Sequence, residues 1–135
     1  MARTTKQRLQ DAHAAIAAIQ RYVPSVALER LNDDLTRSAV ERQLSIVREA
    51  LRVALLQDPS LRPCRPELDA AMARCDQLRD WENPVGVQEL AEFVEGELQG
   101  WQAMIAALLK QQQEEGTRLD QQIAEKLRRL GACCA

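Results

Sequence analysis

Two arginines and a tryptophan stand close together in the middle of the chain, in the segment Arg74-Cys-Asp-Gln-Leu-Arg-Asp-Trp81. A guanidinium group binds phosphate through two parallel hydrogen bonds, and an indole ring can stack on a nucleobase. Arg79 follows Arg74 by little more than one helical turn, so both side chains can point toward the same neighbour. These residues are the first candidates for binding RNA or a nucleotide.

Acid–base catalysis needs a group that exchanges protons near neutral pH, and histidine is the usual choice. The chain has one histidine, His13, which lies far in sequence from Arg74. Its place on the flank of an apolar helix face favours an ordinary hydrogen-bonded boundary residue. A serine hydrolase triad is excluded because Ser38 and Ser45 fall inside a helix with no histidine nearby.

The residues that usually hold metals do not have metal-site spacing. The four cysteines include no Cys-x-x-Cys pair, and no glutamate belongs to the Glu-x-x-His pattern of helical metal sites. We therefore predict no metal and no other cofactor. The cysteines are expected to be reduced thiols, with the last two in a frayed tail; they are Cys64, Cys75, Cys133 and Cys134.

Composition favours one all-α domain. The chain has 135 residues, of which 46% are hydrophobic and only 3% aromatic, and it is rich in residues that favour helices. A net charge of -2 argues against duplex DNA as a partner. The start MARTTKQRLQ lacks the apolar core of a signal peptide, and no apolar run approaches the roughly 20 residues that span a bilayer. We predict a cytoplasmic protein with no membrane contact.

Apolar residues at three- and four-residue spacing predict a series of helices. The first begins at Thr4 or Thr5 and ends before Pro24, and a short second one runs from Ser25 to about Leu31. The next extends from Leu35 to Gln57. A short helix carrying Arg74 lies between proline-rich segments, and a long helix then runs from Val87 through Leu109.

Gln111-Gln-Gln-Glu-Glu-Gly116 is polar and ends in glycine, which predicts a bend before a final helix. Thr117 and Asp120 resemble a capping box, and Gly131 suits the end of that helix. We predict a four-helix bundle with a short extra helix in residues 1–112. Residues 113–135 would form a C-terminal helical appendage and tail, in the same domain or as a dimer arm.

The order of these elements resembles the HepT-like branch of the HEPN proteins. The resemblance covers about Lys6 to Leu109 and rests on two segments, Ala39-Val-Glu-Arg-Gln-Leu-Ser-Ile-Val-Arg-Glu-Ala50 and Leu90-Ala-Glu-Phe-Val-Glu-Gly-Glu-Leu98. It implies a HEPN-like bundle that forms a homodimer through the short helix and the last long helix. It also implies a cognate nucleotidyltransferase as partner, as in a toxin–antitoxin pair.

The chain departs from the family's signature, an arginine followed after four to six residues by His-x-Tyr, usually with asparagine after the arginine. Arg74 is kept, but Cys75 stands at the asparagine, Arg79 at the histidine and Trp81 at the tyrosine. A guanidinium cannot act as a general base near neutral pH. An indole has no hydroxyl group to accept the adenylate that the partner enzyme attaches to the tyrosine.

The sequence thus favours a non-catalytic or RNA- or nucleotide-binding homodimer paired with a nucleotidyltransferase. Its candidate binding residues are Arg74, Arg79, Trp81 and Glu49, the last of which could orient Arg74 across the bundle; no catalytic residue is assigned. One alternative is a HEPN ribonuclease with an altered site. Another is a free-standing helical adaptor that grips a protein through the apolar row from Leu119 to Leu130.

Overall fold

The computed structural model describes residues 3–23, 33–80 and 86–134, with side chains as far as Gly131, and these ranges contain helices and no strand. The prediction of an all-α protein is confirmed. The helix expected from Ser25 and the indole of Trp81 lie outside the described residues. The elements are α1 (Thr5–Tyr22), α2 (Asp34–Gln57), a 3₁₀ helix (Pro59–Cys64), α3 (Arg65–Leu78), α4 (Val87–Glu92), one π-helical turn (Phe93–Glu97) and α5 (Leu98–Cys134).

Side-chain caps fix where the helices begin. Thr4 and Gln7 form a reciprocal capping box at the start of α1, which selects Thr4 from the two predicted starting positions, Thr4 and Thr5. Asp33 caps α2 by accepting a hydrogen bond from the Leu35 amide. Asp58 ends α2 and accepts from the Ser60 amide, so that one residue closes α2 and opens the 3₁₀ helix.

Polar contacts between helix ends set the direction of three helices. The side chain of Gln57 donates to the Arg3 carbonyl (3.1 Å), so α2 ends where α1 begins. Gln20, near the end of α1, donates to Gln102, near the start of α5 (3.0 Å). Helix α1 therefore runs antiparallel to both α2 and α5, its two principal neighbours.

Helix α3 returns along α2, because Asp76 near its end lies 2.6 Å from Arg48 in the middle of α2. Helix α4, the π-helical turn and α5 follow one another without a break, and we call them the rod of α4 and α5. This rod then runs back past α3. Within the described ranges successive helices are antiparallel, as in an up-down-up-down helical bundle.

The core is apolar throughout the described residues, with no buried polar side chain. Its largest member, Phe93, is fully buried in the π-helical turn and meets Trp101 edge to face, with the ring centres 4.9 Å apart. Each of the main helices contributes a row of buried positions; examples are Leu9, Ile16, Leu44, Leu51, Leu68, Leu78, Leu98 and Ile105.

The predicted bend at Gly116 is wrong, because α5 continues through it to Cys134. The Thr117 hydroxyl does not cap a new helix; it donates to the Gln113 carbonyl one turn back (3.0 Å). Gly131 likewise does not stop the helix. A single glycine costs a helix about 1 kcal/mol relative to alanine, which strong helix formers on both sides offset. Leu108 is the last buried residue, and 113–131 are exposed throughout.

Replacing Phe93 by alanine should lower the free energy of unfolding by about 3–5 kcal/mol, because it leaves a cavity and removes the ring contact with Trp101. Urea unfolding followed by circular dichroism would measure the change. Leu56→Ala, at a side chain that is 73% exposed on α2, is the control and should change stability by less than about 0.5 kcal/mol. Equal effects of the two substitutions would contradict this packing.

Candidate functional site

Arg74, the first candidate residue, is held by two glutamates of the neighbouring rod. Its guanidinium group makes a two-pronged contact with Glu97, with Nε and Nη2 donating over 3.0 and 3.1 Å. Nη1 donates to Glu89 (3.0 Å) and to Gln77 (2.7 Å). The side chain is only 20% exposed. A fork of this kind fixes the guanidinium plane, so Arg74 ties α3 to both ends of the π-helical turn.

The π-helical turn is what brings the two glutamates together. In an α-helix, residues seven apart return to the same face after two turns. Glu89 and Glu97 are eight apart. The turn Phe93–Glu97 takes up one extra residue and therefore aligns both carboxylates on the side that faces Arg74. Such turns are frequent at functional sites, and this one lies beside the residue that the sequence singled out.

Arg79 belongs to a second set of contacts, on the opposite side of α3. It donates to the Ser45 hydroxyl of α2, to the Asp76 carboxylate (2.9 Å) and to the Cys75 carbonyl (3.3 Å). The expectation that Arg74 and Arg79 share a neighbour is wrong, since Arg74 faces α4 and α5 while Arg79 faces α2. Nearly one and a half turns separate them on α3, which directs them to different helices.

Glu49 does not orient Arg74 in this structure. Its carboxylate pairs with Arg52, three residues along the same helix, with distances of 2.6 and 3.0 Å. The hydrogen bond from Arg52 lowers the pKa of Glu49. The local pair forms because residues three and four apart on a helix are neighbours. The acidic residues that hold Arg74 are Glu89 and Glu97 instead.

The site carries no net charge when its arginines and carboxylates are counted together. Arg48, Arg74 and Arg79 contact Asp76, Glu89 and Glu97. Partial burial opposes the charge of Arg74, but its hydrogen bonds to Glu97 and Glu89 outweigh this effect and raise its pKa. Arg74 therefore stays cationic with its charge compensated within the bundle, and it cannot release a proton.

Cys75, at the signature's asparagine position, faces the core. It is fully buried, and burial raises the pKa of its thiol to about 12. The thiolate is the nucleophilic form of cysteine, so this side chain is inert at neutral pH. Cys64 is half-buried. The side chains of Cys133 and Cys134 lie outside the described residues.

The other candidate groups are not assembled into a site. His13 lies on α1, and every hydrogen bond of Arg74 goes to Gln77, Glu89 or Glu97. Within the described ranges, no three of the histidine, cysteine, aspartate and glutamate side chains are placed to hold a metal ion. Over the same ranges, no helix has both the length and the apolar content that crossing a membrane requires.

No protein-family model, curated protein sequence or solved structure matches this chain. The family resemblance stated from the sequence therefore stays a prediction.

The sequence did not identify Glu89 or Ser45 as site residues, and it predicted Glu97 to lie on a solvated face or to pair with an arginine of α2. The eight-residue spacing of Glu89 and Glu97 did not predict a shared face, because residues eight apart in a regular α-helix point in different directions. Ser45 accepts a hydrogen bond from Arg79, which lies 34 residues later in the chain. A single sequence gives no indication that residues so far apart are in contact.

Arg74 and Glu97 should be energetically coupled by about 0.5 kcal/mol in a double-mutant cycle, because their contact is two-pronged but Glu97 is half exposed to solvent. The cycle compares Arg74→Ala, Glu97→Ala and the double variant by urea unfolding. The control cycle uses Arg128 and Glu125, whose side chains are 76% and 49% exposed, and should show no measurable coupling. Additive effects at Arg74 and Glu97 would contradict the contact.

Stability should fall more steeply above about pH 8.5 in the wild type than in Cys75→Ala. The folded state holds the thiol proton up to a pKa of about 12, whereas the unfolded state releases it near the ordinary thiol pKa. The stabilising contribution is thus complete below about pH 8.5 and is lost as pH rises toward 12. Thermal melts at pH 7.5 and about pH 10.5 test this; Cys64→Ala, at the half-buried thiol, should behave like wild type.

Proposed function

We propose that this protein is a HepT-like helical subunit that acts by binding a nucleotidyltransferase and does not cleave RNA. The proposal is supported above all by the contacts of the two arginines at the signature positions. Arg74 is engaged by Glu89 and Glu97, and Arg79 by Asp76 and Ser45. Both side chains serve as internal braces of the bundle.

Catalysis of RNA cleavage is disfavoured on two grounds. A general base must accept the proton of the attacking hydroxyl, and Arg79 at the histidine position cannot do so. An RNA phosphate that approached Arg74 would also have to displace two carboxylates of its own sign. The same repulsion disfavours phosphate binding by the Arg74 side chains of a dimer.

This site can bind a protein partner, because such binding requires no proton transfer. Glu89 and Glu97 are about half exposed, so the carboxylates on the outer side of the Arg74 contact face solvent. A partner with basic side chains can meet these carboxylates while Arg74 stays in place. The missing tyrosine hydroxyl leaves such a partner able to bind but unable to silence the protein by adenylylation at this position.

Co-purification and an RNA-cleavage assay on the same preparation test the proposal. A tagged protein should capture a nucleotidyltransferase expressed from the neighbouring reading frame, and Glu89→Lys should weaken this capture about tenfold, by placing a cation where the partner's cations bind. Glu67→Lys, an exposed glutamate at the far end of α3, is the matched control.

Transfer RNA and messenger RNA incubated with the purified protein should stay intact, with no difference between wild type and Arg74→Ala. Cleavage by the wild type that Arg74→Ala abolishes would show a ribonuclease and contradict the proposal. Intact RNA together with failure to capture any nucleotidyltransferase would contradict the partner assignment alone.

A further inference from the structure

The second half of α5 extends beyond the bundle, and we call its residues 113–131 the arm. Near this end, the side chain of Gln112 anchors α5 by donating a hydrogen bond to Asp58 (2.9 Å). Every residue of the arm is exposed. Four large apolar side chains nevertheless lie on it: Leu119, Ile123, Leu127 and Leu130 are 50%, 57%, 62% and 63% exposed.

These four side chains form one continuous row with the core-facing residues of α5. From Ile105 and Leu108 the spacing continues in steps of three, four and four; the positions are 105, 108, 112, 116, 119, 123, 127 and 130. An eleven-residue repeat has about 3.67 residues per turn, close to the 3.6 of a straight helix, so such a row hardly drifts around the helix. The face that packs in the bundle thus continues uncovered along the arm.

We propose that the arm packs antiparallel against the arm of a second copy of this chain, with this apolar row as the seam. The spacing of the row makes it complementary to itself. An alignment centred on Gln121 places Leu119 opposite Ile123 of the second copy. It also brings Gly116, which has no side chain, to within one residue of the level of the large Leu127.

The charges beside the row match the same alignment. Glu115 and Lys126 are eleven residues apart, which puts them on the same edge of the row. In the antiparallel alignment Glu115 of each copy lies beside Lys126 of the other, so two opposite-charge pairs flank the seam. In a parallel alignment opposite edges of the row face each other, so Glu115 and Lys126, which share one edge, would not meet. Neither residue has an ion-pair partner within the described part of the chain.

The described surface offers no equal alternative for joining two copies. Helices α3 and α4 and the turn after them expose no large apolar side chain in the described ranges, although the dimer was predicted there. The remaining exposed ones, Leu35, Ile46 and Leu56, are spread along α2 in steps of ten or more residues. Asp120, on the other edge of the row, lies near Asp120 of the second copy in this alignment, and this like-charge contact opposes the seam. The inference does not depend on the proposed function.

Charge exchange between two variants tests the seam. Sedimentation equilibrium of the wild type should show a concentration-dependent dimer, and Glu115→Lys or Lys126→Glu should each raise its dissociation constant at least about tenfold. A mixture of the two variants should restore a dimer, because each new charge then faces its opposite. The double variant should also dimerise, which only the antiparallel alignment explains.

The controls separate the seam from general effects of charge and fold. Glu114→Lys makes the same charge change on the side of the arm away from the row and should leave the dimer intact. Ile123→Ser should abolish the dimer, whereas Leu56→Ser, at an exposed side chain of α2, should not. Far-ultraviolet circular dichroism confirms that each variant is folded.

A wild type that stays monomeric at about 100 µM, well above the dissociation constants of specific dimers, would overturn the proposal. So would a dimer that is indifferent to Ile123→Ser, or a variant mixture that fails to associate. A monomer that instead binds a helix of another protein through Leu119 and Ile123 would overturn it in favour of an adaptor.

Discussion

One additional residue in a single helical turn determines how the last helix meets the rest of the bundle. The π-helical turn Phe93–Glu97 places the Phe93 ring in the core and, on its outer side, directs Glu97 to Arg74. After it, Leu98 and Ile105 face the bundle. An uninterrupted α-helix would rotate everything beyond Phe93 by about 100°, because each residue advances the helix by that angle. The core, the Arg74 contact and the direction of the apolar row on α5 all depend on this turn.

The charges around α3 are balanced inside the bundle. Arg74 connects α3 to α4 and to the π-helical turn, and Arg79 connects α3 to α2. A half-exposed ion pair adds little stability by itself, but a guanidinium that bonds two elements at once fixes their relative positions. Arg79 reaches Ser45, 34 positions earlier in the chain, which a shorter imidazole at the same position would not reach in the same way.

The sequence predicted the helices well because their signals are local. Caps such as Thr4 and Asp33, and the three- and four-residue spacing of apolar residues, act within one or two turns. The continuity of α5 was predicted incorrectly, since the polar run before Gly116 resembles a connection although its residues favour helices. The partners of Arg74 and Arg79 were out of reach, because they depend on the packing of distant segments. The contact between Arg74 and Glu97 depends also on a π-helical turn, and such turns have no characteristic amino-acid composition that a sequence would show. Glu49 was predicted to orient Arg74. Arg52 lies three residues further along the same helix, however, and pairs with Glu49 at a much lower entropic cost.

Helix α5 spans 37 residues, or about 55 Å at 1.5 Å per residue, and the bundle grips only its first third. The remainder leaves the bundle near Gln112, whose side chain is hydrogen-bonded to Asp58. A bend of about 5° at that point would move the end of the helix, about 33 Å further along, by about 3 Å. The position of the far tip is therefore sensitive to small changes of direction where α5 leaves the bundle.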